Sequence, residues 1–229
     1  MQIAGLQKTS LIDFPDKVAA IIFTQGCCFN CGFCHNPELI SLVGERLIPE
    51  REILEFLEKR KKVIDGLVIT GGEPTLQADL KEFIKKVKNL GLEVKLDTNG
   101  VNPKVLKDLL TAGLLDYIAM DIKAPLAKYE KVINTKVKDQ LIKTSIDLIM
   151  HSGVGYEFRS TILPRLHAEE DIEAMAQLIS GAKRYYLQKF LNQGKLLDPT
   201  FNQEKAFTDK KMAELATICQ KYVKECGVR

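Results

Sequence analysis

Apolar, β-rich runs alternate with helix-period stretches along most of the chain. The runs are Val18–Phe23, Leu67–Thr70, Glu93–Asp97, Tyr117–Asp121, Gly155–Ile162 and Arg184–Phe190. Short runs of this composition, bounded by turn residues, read as strands. Between them, ADLKEFIKKVKNLG sets Leu80, Phe83, Ile84 and Val87 on one helical stripe and stops at Gly91. Pro49 opens EREILEFLEKRKKVI at a first helical position, and Pro103 opens PKVLKDLLTAG, which ends at Gly113. DQLIKTSIDLIMHSG and EEDIEAMAQLISG fill the later gaps, and DKKMAELATICQKYVKECG predicts a last helix to the end of the chain.

Strand–helix alternation implies parallel strands joined by helical crossovers. Six such strands form either an open doubly wound sheet or an incomplete barrel. Both put chemistry at the carboxyl ends of the strands, and the unusual residues of this chain do follow the runs. A cysteine cluster follows the first. GGEPT (Gly71–Thr75) follows the second, DTNG (Asp97–Gly100) the third and MDIKAP (Met120–Pro125) the fourth. RSTILP (Arg159–Pro164) ends the fifth, and YYLQKF (Tyr185–Phe190) makes the sixth.

A length of 229 residues suits a single α/β domain over residues 1–229. The net charge of +3 supports no nucleic-acid partner. No apolar stretch reaches the length of a membrane span, and MQIAGLQKTSLIDFPDK lacks a signal-peptide layout, so a cytoplasmic protein is expected. In a reducing compartment, clustered cysteines are metal ligands or redox groups before they are disulfides.

Cys27, Cys31 and Cys34 are spaced C-x3-C-x2-C. Closed zinc sites take four ligands, usually from two separated pairs, and no second pair is present. Three thiolates on one loop suit a 4Fe–4S cubane with one iron free, since such clusters normally take four cysteines. Structural zinc and a role without metal are the alternatives. Cys28 reads as a small buried apolar residue, and Cys219 and Cys226 as packing residues on similar faces of the last helix. Asp121 and Lys123, two apart on a strand, share a face and form either a ligand contact or a salt bridge. Arg159 offers a planar fork to a carboxylate. His151 reads as a helix-end cap and His167 as an exposed loop residue.

C-x3-C-x2-C after a first strand, with Phe33 before the third cysteine and GGEP after the next strand, resembles the radical S-adenosylmethionine superfamily. Cys34-His35-Asn36 is similar to the activating enzymes of glycyl-radical enzymes. GLQKTSLIDFPDKVAAIIFTQGCCFNCGFCHNPELI resembles the anaerobic ribonucleoside-triphosphate reductase activating proteins. The resemblance implies a partial (β/α)6 barrel of parallel strands with outer helices. It implies a 4Fe–4S cluster on Cys27, Cys31 and Cys34 whose free iron chelates S-adenosylmethionine. Cofactor contacts are then expected from Phe33, Gly71, Gly72, Glu73, Asp97, Thr98, Asp121, Lys123, Arg159 and Gln188, with Gln188 and Phe190 near adenine and His35 beside the cofactor. The reaction implied is cleavage of S-adenosylmethionine and hydrogen abstraction from a glycine of a partner enzyme, through the open side of the barrel. A flavodoxin or ferredoxin would donate the electron, docking on Lys59–Lys62 and Lys81–Lys88 unless those lysines form a solvated face. The competing functions are a radical enzyme with a small-molecule substrate, of the deazapurine-synthase type, and an electron-transfer or cluster-storage protein.

Overall fold

The computed structural model describes residues Met1–Arg229. Eight strands form one sheet: β1 (Ile3–Ser10), β2 (Ala19–Thr24), β3 (Gly66–Gly71), β4 (Glu93–Thr98), β5 (Tyr117–Asp121), β6 (Gly155–Ile162), β7 (Arg184–Lys189) and β8 (Glu225–Val228). Their spatial order is their sequence order. β1 runs antiparallel to β2, and every later pair is parallel. The helices are α1 (Glu50–Arg60), α2 (Leu80–Asn89), α3 (Pro103–Thr111), α4 (Tyr129–Ile133), α5 (Asp139–Met150), α6 (Glu169–Leu178) and α7 (Asp209–Cys219).

The strand order decides between the two architectures left open by the sequence. A doubly wound sheet needs a reversal of strand order. Here there is none, and right-handed crossovers then place every helix on the same face. The packing agrees. Alternate residues of the central strands (Ala20, Ile22, Leu67, Ile69, Val94, Leu96, Ile118, Met120, Phe158) join the helices in one core. The opposite face makes its own small cluster of Phe14, Ala19, Ile21, Val68 and Tyr117. That second face is the concave interior of a partial barrel, left unclosed between the edge strands β1 and β8.

Two strands, β1 and β8, lie beyond the six expected. β1, whose burial pattern includes a run of exposed residues, has no clear alternation to find. The last helix was drawn too long: it ends at Cys219, and the chain returns as β8 beside β7. Cys219 and Cys226 therefore sit on a helix and a strand, both buried in the outer core, and not on one helix. The first helix stops at Arg60, and Pro49 is its N-cap, one residue outside.

β8 also carries Arg229 to the barrel floor. Its guanidinium meets the buried Glu157 carboxylate at 2.9 and 3.0 Å and stacks on Tyr186, 3.6 Å from the ring centroid. Tyr117 Oη donates to the same carboxylate at 3.1 Å. Arg229→Ala leaves a buried anion short of donors, and the expected loss is about 1–3 kcal/mol of folding stability, read by urea denaturation.

Candidate functional site

A cavity of about 250 Å³ opens at the carboxyl ends of the parallel strands. Its wall contains Cys27, Cys31 and Cys34 from the loop after β2, Gly71 and Gly72 from the end of β3, and Asp97 and Thr98 from β4. Asp121 from β5, Lys123 from the loop after it and Arg159 from β6 complete it. Phe33 and His35 also reach it. Gln188 does not: it lies on β7, where Thr161 Oγ1 donates to its Oε1 at 3.4 Å. Thr161 takes the wall position expected of it.

The cysteine loop is fixed by backbone contacts on several sides. Gly26 N and Cys27 N donate to Leu39 O (2.8 Å) and Ile40 O (3.1 Å). Asn30 N donates to Ile133 O at 2.9 Å, and Asp198 N reaches back to Gly32 O at 2.9 Å. Glu73 N donates to Gly26 O at 2.7 Å, tying the loop to GGEP. This contact explains Gly72. A Cβ there would lie 2.1 Å from Gly26 O, and one on Gly71 (φ +119°) would lie 2.3 Å from Thr24 N. The two glycines serve close approach between protein backbones, a job distinct from the ligand approach inferred for them.

Glu73 has no solvent exposure. Its Oε1 accepts from Thr75 N (3.1 Å), Thr75 Oγ1 (2.5 Å) and Thr98 Oγ1 (2.7 Å), and its Oε2 from Asn99 N (2.7 Å). Burial pushes its carboxyl up, against the pull of these donors. One side chain thus joins the GGEP and DTNG loops.

Charged side chains alternate across the barrel. Lys123 Nζ meets Asp121 Oδ2 at 2.9 Å, and Arg159 Nε meets Asp121 Oδ1 at 3.1 Å. Arg159 Nη1 meets Asp97 Oδ2 at 3.2 Å. Burial opposes the charge on Asp121, but Lys123 and Arg159 outweigh it and hold the group down at about 2. The salt-bridge reading of Asp121 and Lys123 holds, and both still line the cavity. Asp97 Oδ1 is buried with no aligned hydrogen-bond donor; Lys95 Nζ stands 2.9 Å away but off the hydrogen-bonding direction. An orphaned acceptor in a cavity wall suits a donor supplied by a ligand.

All six cysteines are free. The neighbouring Cys28 thiol lowers Cys27 to about 7, whereas burial pushes Cys31 up to about 11 and raises Cys34. Cys28 is not part of the cavity wall, and Asn99 Nδ2 donates to its Sγ at 3.7 Å, so it is a polar neighbour of the loop and not simply an apolar filler. No three His, Cys, Asp or Glu side chains converge at ready-made chelating distance. Burial favours the protonated form of Cys31 and Cys34, and binding a cluster must displace their protons.

Phe33 is buried and packs on Phe201, with ring centroids 6.2 Å apart, as well as facing the cavity. His35 Nε2 bonds Leu191 O at 2.7 Å, holding the cysteine loop to the segment after β7. His151 caps α5 through Asp147 O, as read. His167 was misread. It is buried, not exposed. Its Nδ1 accepts from Leu163 N at 3.3 Å and its Nε2 faces Lys123 O at 2.9 Å, so it is a neutral ring that seats the Lys123 backbone. Nothing local in a Leu-His-Ala-Glu sequence signals this, because the Lys123 carbonyl that the ring meets lies in another part of the chain.

A family model described as the Radical SAM superfamily matches residues 21–179. The chain belongs to the radical SAM superfamily. It is an enzyme of that class, and the class uses a 4Fe–4S cluster and S-adenosylmethionine. It is 34% identical over 99% of its length to a Methanocaldococcus jannaschii protein, 95% of which is covered, provisionally named a glycyl-radical enzyme activating enzyme. The pyruvate formate-lyase-activating enzyme of Clostridium pasteurianum is 28% identical, with 80% of this chain and 77% of that protein covered. Streptococcus suis SuiB, in a crystal structure bound to the precursor peptide SuiA, superposes with a TM-score of 0.68 at 15% identity, a likeness of fold. This radical SAM chain matches through 91% of its own length but spans 48% of SuiB.

Gly72→Ala should prevent the GGEP and cysteine loops from meeting, lowering the melting temperature and abolishing iron uptake together; calorimetry and iron analysis of one sample read both. Burial depresses the His167 pKa below that of the unfolded chain. The folded protein therefore resists protonation there, and stability should fall as pH drops below about 6.5. Melting temperature against pH reads this, and the slope should flatten in His167→Gln.

Proposed function

We propose that this protein is a radical SAM activase that installs a glycyl radical on a partner enzyme, and that the partner is anaerobic ribonucleoside-triphosphate reductase. The observation that carries the reading is the convergence, on one cavity, of three free thiols from a single loop with the buried Asp97–Arg159–Asp121–Lys123 network. Support for the activase branch comes from the similarity to activating enzymes over nearly full length. Support for the reductase comes from the N-terminal stretch GLQKTSLIDFPDKVAAIIFTQGCCFNCGFCHNPELI.

The residues present fit both cofactors. Cys27, Cys31 and Cys34 would hold the cluster as thiolates, a donor set of three that leaves one iron for S-adenosylmethionine. When bound, the pair supplies one-electron reductive cleavage of the sulfonium, chemistry that belongs to the cofactors. The chain contributes position and charge. Lys123 offers a cation to a carboxylate. Asp97 Oδ1 offers an acceptor to an ammonium or hydroxyl. Thr98, held by Glu73, fixes the adjoining wall. Phe33, Phe190 and Phe201 pack together beside the thiol loop and keep water from that flank. The unclosed edge between β1 and β8 leaves the interior reachable by a segment of another protein.

A flavodoxin or ferredoxin is the proposed electron donor. Its docking on α2 has no support, because Lys81, Lys85, Lys86 and Lys88 are each paired with a carboxylate. No helix is long and apolar enough to cross a membrane.

Anaerobically reconstituted protein, given reductant and S-adenosylmethionine, should form 5′-deoxyadenosine and raise a glycyl signal in electron paramagnetic resonance of the reductase. Cys31→Ala should lose iron, sulfide and cleavage together. Cleavage without a radical on any glycyl-radical enzyme would move the assignment to the small-molecule branch.

A further inference from the structure

Lys95 has no place in the sequence motifs, yet it is a charged residue set deep in the barrel. It stands on the inner face of β4, two residues before Asp97, with 2% of its side chain exposed. Its Nζ lies 2.9 Å from Asp97 Oδ1 on one side and 5.9 Å from the Tyr117 ring centroid on the other. Beyond Asp97 the alternation continues through Arg159, Asp121 and Lys123. Five charges from β4, β5, β6 and the loop after β5 therefore alternate in sign, and Lys95 terminates the series below the cavity.

A buried ammonium is costly unless its field is used. Its geometry shows a specific use. Lys95 is close enough to Asp97 for strong attraction but off the direction that would make a hydrogen bond, and Oδ1 keeps its acceptor capacity. Asp97 is anionic and unspent at the same time. An aligned donor in place of Lys95 would occupy one of the two lone pairs of Oδ1. A neutral side chain would leave Asp97 to share Arg159 with Asp121, a second carboxylate whose charge opposes its own.

We propose that Lys95 is a positioning residue for S-adenosylmethionine: it holds Asp97 as an oriented carboxylate while leaving Oδ1 free for a cationic or hydroxyl donor of the cofactor. The inference rests on the reading that this cavity binds S-adenosylmethionine, and it goes beyond that reading in assigning a role to a residue outside the cavity wall. The groups facing Asp97 are few. Lys95 shares its strand, Tyr117 and Asp121 come from β5, and Arg159 comes from β6. Glu73 approaches through Thr98 and Asn99, and the three thiols stand across the cavity. Burial raises the Asp97 carboxyl, and Arg159 and then Lys95 overcome it, leaving the group low.

The sign follows. Without Lys95, Asp97 takes up a proton at higher pH, and the cofactor loses its acceptor earlier on acidification. The test uses holoprotein reconstituted without oxygen. Binding of labelled S-adenosylmethionine is measured by equilibrium dialysis from about pH 3 to about pH 9, a range spanning carboxyl titration, with melting temperature on the same samples. In Lys95→Met the acid midpoint of binding should move up by about one pH unit or more, with affinity recovering towards wild type at the alkaline end. Lys95→Gln, which keeps the length and polarity, should show the same displacement and carries the test if the methionine variant does not fold. A purely structural role would instead lower melting temperature and weaken binding equally at every pH. Wild-type midpoints in both variants, or that uniform weakening, overturn the proposal. Failure of wild-type holoprotein to bind at any pH overturns the reading of the cavity and the proposal with it.

Discussion

The carboxylate of Glu73 holds the site together. It is sealed from water and accepts from four donors on two loops, while its own backbone N–H reaches the carbonyl of Gly26 at the root of the cysteine loop. Three strand ends are thereby fixed to one another by a single residue. A buried carboxylate without its donors is strongly unfavourable, so the arrangement is held as a unit: GGEP, DTNG and the start of the cysteine loop keep their places together. The glycines on either side are the steric condition for it, since a methyl group at Gly72 would occupy the space of the Gly26 carbonyl.

Around this anchor the barrel interior is charged where a folded core is usually apolar. The series from Lys95 to Lys123 survives burial because each carboxylate sits between two cations, Arg159 sits between two carboxylates, and the terminal Lys95 sits between a carboxylate and a ring. Removing one member strands its neighbours, whereas removing both members of a pair is often tolerated. Such a wall is preorganised, and a zwitterionic ligand meets charges that need no rearrangement. A second polar group, Glu157 with Tyr117 and Arg229, closes the floor, and Phe14 packs on Tyr117 beside it.

Much of the chemistry was legible because it is written in short segments. C-x3-C-x2-C, GGEP, DTNG and MDIK each lie within one loop or strand end, and the rule that chemistry gathers at the carboxyl ends of parallel strands assembles them without coordinates. What escaped was carried by contacts distant in sequence. His167 is buried because it meets Lys123, and Gln188 falls outside the cavity because its side chain turns to Thr161. β8 was absorbed into a helix because the residues before it continue a helical pattern, and only pairing with β7 makes them a strand.

The sequence by itself determined the strand–helix alternation, the six parallel strands, the three thiols and the family they point to, since periodicity, turn residues and motif spacing are local properties. Only the tertiary structure decided that the sheet curls with all helices on one side, because strand order is a property of pairing. It alone showed that the glycines of GGEP serve backbone contact, that Lys95 stands beside Asp97 with an acceptor left over, and that the last segment is a strand. These depend on which distant residues become neighbours once the chain closes on its core.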